Sequence, residues 1–296
     1  MSDDVFVRFW GTRGSIPAPG HATRKFGGNT SCVEIRIGNT LLICDAGTGL
    51  RELGLDLMKR TEDRLEMHMF FSHMHWDHIQ GFPFFVPAYS ASNTLYVYET
   101  APGADRVQRL LDGQMRSDHF PVSFAELNSF MVARHMDKDG KSKFGQVKVS
   151  CFEQNHPGRS FAYAFEAEGK KVVYATDNEI DLTLKNKDRV VDHPDEMRQV
   201  PDDFVAFCAD ADLLIADGQY TDEEYPQKEG WGHARANTVV DLAVQAGVKS
   251  CALFHHDPLH TDLDVKEIVR DGRNRSKMHG KDLQLFGARE GLEVKL

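Results

Sequence analysis

The sequence predicts an α/β fold. Short apolar runs of the kind that form buried strands alternate along the chain with segments in which apolar residues recur at helical spacing. Glycine-containing turns separate many of these runs, and we find no linker, low-complexity tract or convincing repeat in the 296 residues. We therefore predict a single domain over residues 1–296, although two domains of about 150 residues would also fit this length.

The first hundred residues are predicted to contain five strands and one helix. The runs that predict strands are residues 5–10, 32–37, 41–44, 65–71 and 94–98. Residues 50–60 instead place Leu50, Leu53 and Leu57 on one side of a helix. Glycine-rich stretches follow the first and third strands, as is typical of tight turns.

The rest of the chain continues this alternation. Further strand-like runs are residues 147–152, 162–166, 171–174, 213–216 and 251–254, and helical spacing is found in residues 238–247 and 262–271. Residues 103–145 form the least regular and most polar stretch, which we predict to be a helical excursion or lid beside the main sheet. Within it, residues 138–143 are predicted to form a solvated turn.

Composition and charge disfavour several kinds of partner. Apolar residues make up 41% of the chain and charged residues 27%, the balance of an ordinary globular protein with a sizeable core. The formal charge of −10 disfavours a long nucleic acid, because phosphate binding needs a basic surface. A short basic cluster is predicted to be a solvated face; it consists of Arg270, Arg273, Arg275, Lys277 and Lys281.

Targeting signals are not evident. Apolar runs stay far below the roughly 20 residues that cross a membrane, and the acidic start Met1-Ser2-Asp3-Asp4 lacks the layout of a signal peptide. The five cysteines are scattered without a Cys-x-x-Cys pair, which indicates reduced thiols. We expect a cytoplasmic protein without membrane association, and a homodimer is compatible with these observations.

One stretch, His73-Met74-His75-Trp76-Asp77-His78, is rich in metal ligands and directly follows a predicted strand. Imidazole nitrogens combined with a carboxylate oxygen suit a borderline divalent metal. His73 and His75 can point the same way from an extended turn, whereas Asp77 and His78 can face a second site. This spacing predicts a metal centre rather than a chance cluster of surface histidines.

Three later segments repeat the pattern of a ligand-type residue at the end of a strand. His156 follows residues 147–152, Asp177 follows 171–174, and His255-His256 follows 251–254. Each residue alone could be a cap, a turn former or a structural histidine. Their recurrence together with the first cluster indicates that they belong to one metal site at the strand ends.

These motifs resemble those of the metallo-β-lactamase superfamily, in the expected order over nearly the whole chain. Asp45, which follows an apolar strand and precedes glycine, resembles the early aspartate motif of that superfamily. Features similar to its phosphodiesterase branch, which includes transfer-RNA 3′-processing ribonucleases and cyclic phosphodiesterases, are Gly27-Gly28-Asn29-Thr30-Ser31, Gly232-His233-Ala234 and Phe254-His255-His256-Asp257-Pro258. The resemblance implies an αββα four-layer sandwich with two metal ions at one sheet edge.

The resemblance also implies a division of the ligands. His73, His75 and His156 would bind one ion; Asp77, His78 and His255 would bind the other, with Asp177 bridging. We favour His255 over His256 because it directly follows the strand, and His256 would then orient a neighbour or touch substrate. Asp45 is expected to accept a hydrogen bond from a ligating imidazole, with a simple turn role as the alternative. We expect Zn²⁺, with Mn²⁺ or Fe²⁺ as alternatives, because the ligand set contains no thiolate.

The mechanism that we infer is attack on phosphorus by a metal-bound hydroxide, with Asp77 orienting it or accepting its proton. In the phosphodiesterase branch, a histidine placed like His233 stabilises the transition state or protonates the leaving oxygen. Asp217 resembles the acidic partner that holds this imidazole. The alternative is a surface histidine in a glycine-rich loop, with Asp217 as a turn former.

We therefore predict a dinuclear metal-dependent hydrolase, a phosphodiesterase acting on a small phosphodiester such as a cyclic nucleotide. A thioester, lactone or β-lactam hydrolase is an alternative, because the fold and the metals alone allow it. A tRNA 3′-processing endoribonuclease is another, although such enzymes are expected to have a basic arm that we do not find here. A scaffold or sensor with a vestigial site fits the full ligand set poorly. Redox members of the superfamily have an acidic residue where His75 stands, which disfavours an iron oxidoreductase.

Overall fold

The structure is a computed structural model that describes residues 5–60, 64–99, 106–136 and 141–296. The described residues form two seven-stranded sheets. In chain order, the strands are β1 Val5–Gly11, β2 Cys32–Ile37, β3 Thr40–Cys44, β4 Glu66–Phe70, β5 Thr94–Glu99, β6 Phe130–His135, β7 Lys141–Phe144, β8 Val147–Gln154, β9 Ser160–Ala167, β10 Lys170–Ala175, β11 Leu213–Asp217, β12 Ser250–Phe254, β13 Gln284–Gly287 and β14 Glu293–Lys295. The α-helices are α1 Gly49–Arg60, α2 Trp76–Ile79, α3 Arg106–Gln114, α4 Lys187–Asp192, α5 Asp202–Cys208, α6 Ala236–Gln245 and α7 Asp262–Met278.

Both sheets are mixed. The first has the order β14-β1-β2-β3-β4-β5-β6, and its strands from β3 to β6 are parallel. The second has the order β13-β12-β11-β10-β9-β8-β7, and its strands from β10 to β13 are parallel. The carboxyl ends of parallel strands meet at one edge, and loops at such an edge commonly bind ligands.

The main core lies between the two sheets. Phe9 and Phe70 of the first sheet share a buried cluster with Tyr163, Ile215 and Phe254 of the second. The parallel strands are covered on both faces, so that β11 is buried along its whole length. This explains why these strands appear in the sequence as short continuous apolar runs.

Helices cover the outer face of each sheet. Leu50, Leu53 and Leu57 of α1 pack against the first sheet, and α5, α6 and α7 contribute to a cluster on the second. The result is the αββα sandwich that was predicted. Among the described residues, no helix combines the length and the apolar composition that crossing a bilayer requires.

The stretch from residue 103 to 145 differs from its prediction. It contains α3, as a helical excursion would, but it also supplies β6 and β7, the edge strands of the two sheets. Lys141–Phe144 is a strand rather than part of a solvated turn, and residues 103–105 and 137–140 lie outside the described residues. The strand was missed because β7 is half exposed and therefore has alternating polar residues instead of an apolar run.

The C-terminal basic cluster is not entirely a solvated face. α7 continues to Met278, beyond the predicted end at residue 271, and buries Arg275. The guanidinium of Arg275 donates to Asp241 Oδ2 over 2.6 Å and also to two backbone carbonyls. Arginines are mostly exposed, and the local sequence does not show which one is buried, so this contact could not be predicted.

Candidate metal centre

Six polar side chains lie where strands of the two sheets end. Asp45 follows β3, His73 lies three residues after β4, His156 lies two residues after β8, Asp177 lies two residues after β10, Asp217 ends β11, and His255 follows β12. The fold therefore gathers side chains that are far apart in the sequence at one edge of the sandwich.

Three of these residues leave their strands in the left-handed backbone region. The φ angles are 61° at Asp45, 56° at Asp177 and 58° at His255. Residues other than glycine adopt this region uncommonly, although Asp and His are enriched there. The chain thus turns sharply at three strand ends, and such backbone strain is often found at functional sites.

Two groups of ligand atoms form at this edge. Donor atoms of His73, His75 and His156 lie within 4.8 Å of one another, and so do those of Asp77, His78 and His255. Asp177 lies between the groups; its carboxylate oxygens are 3.7 Å from His73 Nε2, 3.3 Å from His78 Nε2 and 3.4 Å from His255 Nε2. This arrangement brings together all seven residues that the sequence singled out, in the grouping that the resemblance implies.

The second nitrogen of several imidazoles is fixed by the surrounding protein. His78 Nδ1 donates to Asp45 Oδ2 over 2.8 Å, and His156 Nδ1 donates to the Gly232 carbonyl over 2.9 Å. His255 Nδ1 donates to Gln219 Oε1 over 2.9 Å. Each ring therefore directs the lone pair of its Nε2 into the cluster, which is the tautomer that a metal ligand needs.

The cluster has the features of a cation site. His73 Nε2 is buried without a hydrogen-bond partner among the described residues. His78 Nε2 and His255 Nε2 are 3.2 Å apart, although the N–H of each ring points elsewhere. Buried polar atoms normally have partners, and facing lone pairs repel unless a cation or proton lies between them. The residues present thus fit divalent metal ions.

Electrostatics favour the same interpretation. Burial disfavours ionisation of Asp177, but the neighbouring His255 and His78 hold the pKa of its carboxyl well below its ordinary value. Burial, reinforced by His78, lowers the pKa of His73 well below its ordinary value. Ionised carboxylates and neutral imidazoles are the protonation states in which these side chains bind metals.

His78 experiences the negative field of the site most strongly. Burial opposes its protonation, but Asp177, Asp77 and Asp45 surround it and raise its pKa well above the ordinary value. A field that favours a positive imidazole also favours a divalent cation beside it.

Asp45 joins the two sheets beneath this cluster. Its carboxylate accepts hydrogen bonds from Ser72 N, Ser72 Oγ and Tyr174 Oη, each 2.7 Å long, in addition to the bond from His78. Ser72 Oγ in turn lies 3.1 Å from His73 Nδ1. Asp45 therefore orients one ligand directly and a second through Ser72, as the sequence predicts for this residue.

His233 and Asp217 form a buried pair beside the cluster. His233 Nδ1 donates to Asp217 Oδ2 over 2.7 Å, and the imidazole stacks on the His255 ring with centroids 4.9 Å apart. Burial disfavours the charged ring, but Asp217 together with Asp177 and Asp77 outweighs it and raises the pKa of His233 to about 9. His233 also groups with Asp177 and His255, but its Nδ1, the nitrogen 3.8 Å from Asp177, is already bonded to Asp217.

His256 lies outside the ligand groups formed by the described residues. Its Nε2 donates to the Ala288 carbonyl over 2.8 Å, its ring contacts Phe26, and burial lowers its pKa to about 3. Of the two expected roles, this buried position favours orienting a neighbour over touching substrate, because the ring packs between loops. The two adjacent histidines point in different directions because the chain turns at His255.

Several residues that shape the site were not predicted. Glu179 is buried and accepts hydrogen bonds from Tyr225 Oη, Gly230 N and Gly232 N over 2.8, 2.6 and 2.7 Å. Gln219 connects the two parts of the site, since its N–H donates to Asp217 and its side-chain oxygen accepts from His255. The alternating acidic residues Asp177, Glu179 and Asp181 were the one sequence signal available for Glu179.

Two glycines allow backbone to lie against the ligands. A Cβ at Gly232 would lie 2.3 Å from His156 Nδ1, and its φ of +92° also favours glycine. A Cβ at Gly14 would lie 2.4 Å from the His255 ring. Both glycines belong to short motifs visible in the sequence, but the ligands they contact are distant in the chain.

Comparisons with known proteins agree with this architecture. A family model described as "Beta-lactamase superfamily domain" matches residues 40–256. Ribonuclease Z from Natronomonas pharaonis is 24% identical over 282 residues, which cover 84% of this chain and 86% of that protein. The structure of the metallo-beta-lactamase fold protein YhfI from Bacillus subtilis is 18% identical, has a TM-score of 0.71 and covers 100% of both chains. The short form of human tRNase Z is 18% identical, has a TM-score of 0.64 and covers 98% of both chains.

Proposed function

Because the chain belongs to the β-lactamase superfamily, we propose that it is a dinuclear metal-dependent phosphodiesterase acting on a small phosphodiester such as a cyclic nucleotide. The observation that supports this reaction class is the buried His233–Asp217 pair beside the ligand cluster. A thioester hydrolase would use the same metal ligands, but its thiolate leaving group has less need of a charged imidazole that can donate a proton. A lactone hydrolase is separated from a phosphodiesterase by its substrates.

The ligand groups support two ions, held by His73, His75 and His156 on one side and by Asp77, His78 and His255 on the other, with Asp177 shared. We propose Zn²⁺, with Mn²⁺ and Fe²⁺ as alternatives, because the donors are imidazoles and carboxylates without a thiolate. Such ions would supply Lewis acidity toward the phosphoryl oxygens and make a water acidic enough to ionise near neutral pH.

The protein's own residues would move two protons. Asp77 is positioned by the Ser15 N–H, which donates to its Oδ2 over 2.7 Å, and this carboxylate would accept the proton of the attacking water. As the water oxygen bonds to phosphorus and the ester P–O bond breaks, protonated His233 would give a proton to the departing oxygen. Asp217 would keep the imidazole in the orientation and charge state for this transfer.

One panel of substrates tests the proposal. The purified protein, loaded separately with Zn²⁺, Mn²⁺ or Fe²⁺, would be given bis(p-nitrophenyl) phosphate, 2′,3′- and 3′,5′-cyclic AMP, a glutathione thioester and a lactone. We expect phosphodiester turnover that a chelator abolishes and that His73→Ala lowers strongly, with His119→Ala, an exposed histidine outside the ligand groups, as the control. Turnover of the thioester or lactone without turnover of any phosphodiester would overturn the proposal.

A second candidate function is tRNA 3′ processing. Relatives named Ribonuclease Z match most of this chain and most of their own length, which weighs against our expectation that the net charge disfavours a long nucleic acid. A cleft of about 460 Å³ also has a basic lining that the net charge conceals; the cations are Lys25, Lys266, Arg273 and Arg289. No acidic residue lines this cleft among the described residues.

Charge reversal in the cleft tests this second function. If RNA uses the cleft, the double variant Lys266→Glu/Arg273→Glu should lower cleavage of precursor tRNA and weaken its salt dependence, while cyclic-nucleotide turnover stays unchanged. Arg270→Glu is the matched control, because Arg270 is exposed on the same helix but does not line the cleft. A wild-type protein that hydrolyses cyclic nucleotides but never cleaves precursor tRNA would exclude the second function.

A further inference from the structure

Two of the three tryptophans are largely exposed. Trp76 has 69% and Trp231 59% of its surface accessible, whereas Trp10 is buried. Neither Trp76 nor Trp231 belongs to the three hydrophobic clusters of the described residues. Large aromatic side chains usually contribute to a core or an interface, so two exposed ones at the same place indicate a binding role.

Both tryptophans lie at the rim of the ligand cluster. Trp76 is the residue between His75 and Asp77 and begins α2. Trp231 directly precedes Gly232, whose carbonyl accepts the hydrogen bond from His156. Because His156 Nε2 is 3.2 Å from His75 Nδ1, the two segments that contain the tryptophans meet across the His75–His156 contact.

The loop that contains Trp231 is held in place. Glu179 accepts hydrogen bonds from the N–H groups of Gly230 and Gly232, the residues on either side of Trp231. The Lys228 ammonium lies 4.2 Å from the centroid of the Trp231 ring, close enough for a cation–π interaction. Because the ammonium lies over one face of the ring, the opposite face can stack on a planar group, and the cation favours an anion attached to that group.

We propose that Trp76 and Trp231 together form a stacking surface for the base attached to the scissile phosphodiester, so that the substrate is a nucleotide-type rather than a purely aliphatic phosphodiester. This inference rests on the proposed phosphodiesterase function and narrows its substrate class. Stacking of one base on an aromatic side chain changes binding roughly 5- to 150-fold when the side chain is truncated to alanine.

A pair of substrates that differ only in the base tests the proposal. We would compare kcat/KM for 2′,3′-cyclic AMP and for methyl ribofuranoside 2′,3′-cyclic phosphate, which has the same ester without a base. Trp231→Ala and Trp76→Ala should each lower kcat/KM for cyclic AMP by about 5-fold or more and leave the abasic ester within about twofold.

The chain offers a matched control in Phe130→Ala. Phe130 is 67% exposed, like the two tryptophans. It pairs with Thr94 at the amino-terminal ends of β5 and β6, whereas the proposed metal ligands follow the carboxyl ends of the strands. This variant should leave kcat/KM for both substrates unchanged.

Fluorescence gives a readout that does not depend on turnover. AMP should quench the tryptophan emission of the metal-loaded protein, and ribose 5-phosphate, which has no base, should not. Because Trp10 is buried, most of the quenching should come from the exposed pair, and each single variant should lose part of it.

The outcomes separate this inference from the function on which it rests. If both tryptophan variants lose activity equally toward the two esters, or if AMP and ribose 5-phosphate quench alike, stacking is overturned while the phosphodiesterase function stands. If the wild-type protein hydrolyses no phosphodiester, the proposed function fails. Base-dependent quenching would then still support a nucleotide-binding rim, and its absence would overturn it.

Discussion

At the scale of single residues, each fixed imidazole of the centre divides its two nitrogens between the protein and the cluster. His78, His156 and His255 give their Nδ1–H groups to Asp45, to the Gly232 carbonyl and to Gln219. The acceptors are a carboxylate, a backbone carbonyl and a side-chain amide, so no common sequence motif identifies them. The residues of the cluster could be singled out from the sequence because imidazoles and carboxylates followed strand after strand, and their role as metal ligands stays a prediction.

His233 is the residue whose replacement distinguishes the reaction classes. Without its proton the departing alkoxide of 2′,3′-cyclic AMP is unprotonated, so His233→Ala should lower turnover by about 10²- to 10⁴-fold. The loss should be much smaller with bis(p-nitrophenyl) phosphate, because p-nitrophenolate leaves without protonation. Asp217→Asn should show the same preference more weakly, since it disturbs the orientation of the ring rather than removing it.

Metal content provides the control for this prediction. Both variants should retain as much bound metal as the wild-type protein, because the two proposed ligand groups form without His233, whose Nδ1 is bonded to Asp217. An equal loss of turnover on both substrates, or a loss of metal in His233→Ala, would contradict the role of proton donor.

At the scale of elements, the strands that build the site were predicted well and the edge strands poorly. β3, β4, β10, β11 and β12 are buried, and their apolar runs fix both their type and their approximate limits. β6, β7, β13 and β14 were not predicted because each is short or only partly buried. These strands form because they pair with a neighbouring strand, and the local residue pattern does not reveal that pairing.

The loop from Tyr225 to His233 is likewise organised by a contact that the sequence conceals. Glu179 holds this loop through backbone N–H groups, which every residue type except proline carries. The loop in turn positions the acceptor of His156 and leads into His233. Glu179 therefore positions the loop that fixes His156, the proposed metal ligand, and His233, the proposed proton donor.

Replacing Glu179 by glutamine should weaken the site without unfolding it. The amide keeps one acceptor oxygen and loses the other, so the loop should shift and metal affinity or kcat should fall roughly 10- to 100-fold. Glu179→Asp should recover part of this loss. The measurements are metal titration and the separation of kcat from KM on 2′,3′-cyclic AMP.

Glu229→Gln is the matched control for this substitution. Glu229 lies in the same loop, but its carboxylate pairs with Lys187 at the surface. It should leave both metal affinity and kcat unchanged. A lower melting temperature in Glu179→Gln with unaltered metal affinity would mean that the residue supports only the fold.

At the scale of the whole molecule, the net charge of −10 and the candidate function are compatible because charge is distributed unevenly. Asp45, Asp77 and Asp177 contribute negative charge inside the centre, where two divalent ions would add about four positive charges. The basic cleft is a second region whose charge differs from that of the whole chain. The net charge predicts neither the metal centre nor the cleft, because only the fold brings these residues together.

Metal binding should stabilise the whole fold, since the ligands come from both sheets. An ion at 100 times its dissociation constant stabilises a protein by about 2.7 kcal/mol, which corresponds to a rise in Tm of roughly 4 °C at this size. Calorimetry with and without a chelator would measure the shift. His73→Ala should lose most of it and His119→Ala should keep it; an unchanged Tm in the wild-type protein would contradict a structural contribution by the metals.

The pairing of β1 with β14 has a consequence for synthesis on the ribosome. β1 is made at residues 5–11, but its outer neighbour, in register from Phe6↔Lys295 to Arg8↔Glu293, is made only at residues 293–295. At about 5 to 20 residues per second, β1 waits roughly 15 to 60 s for that partner. During this time its unpaired backbone groups are open to pairing with other chains, so a nascent chain is at greater risk of aggregation than the finished protein.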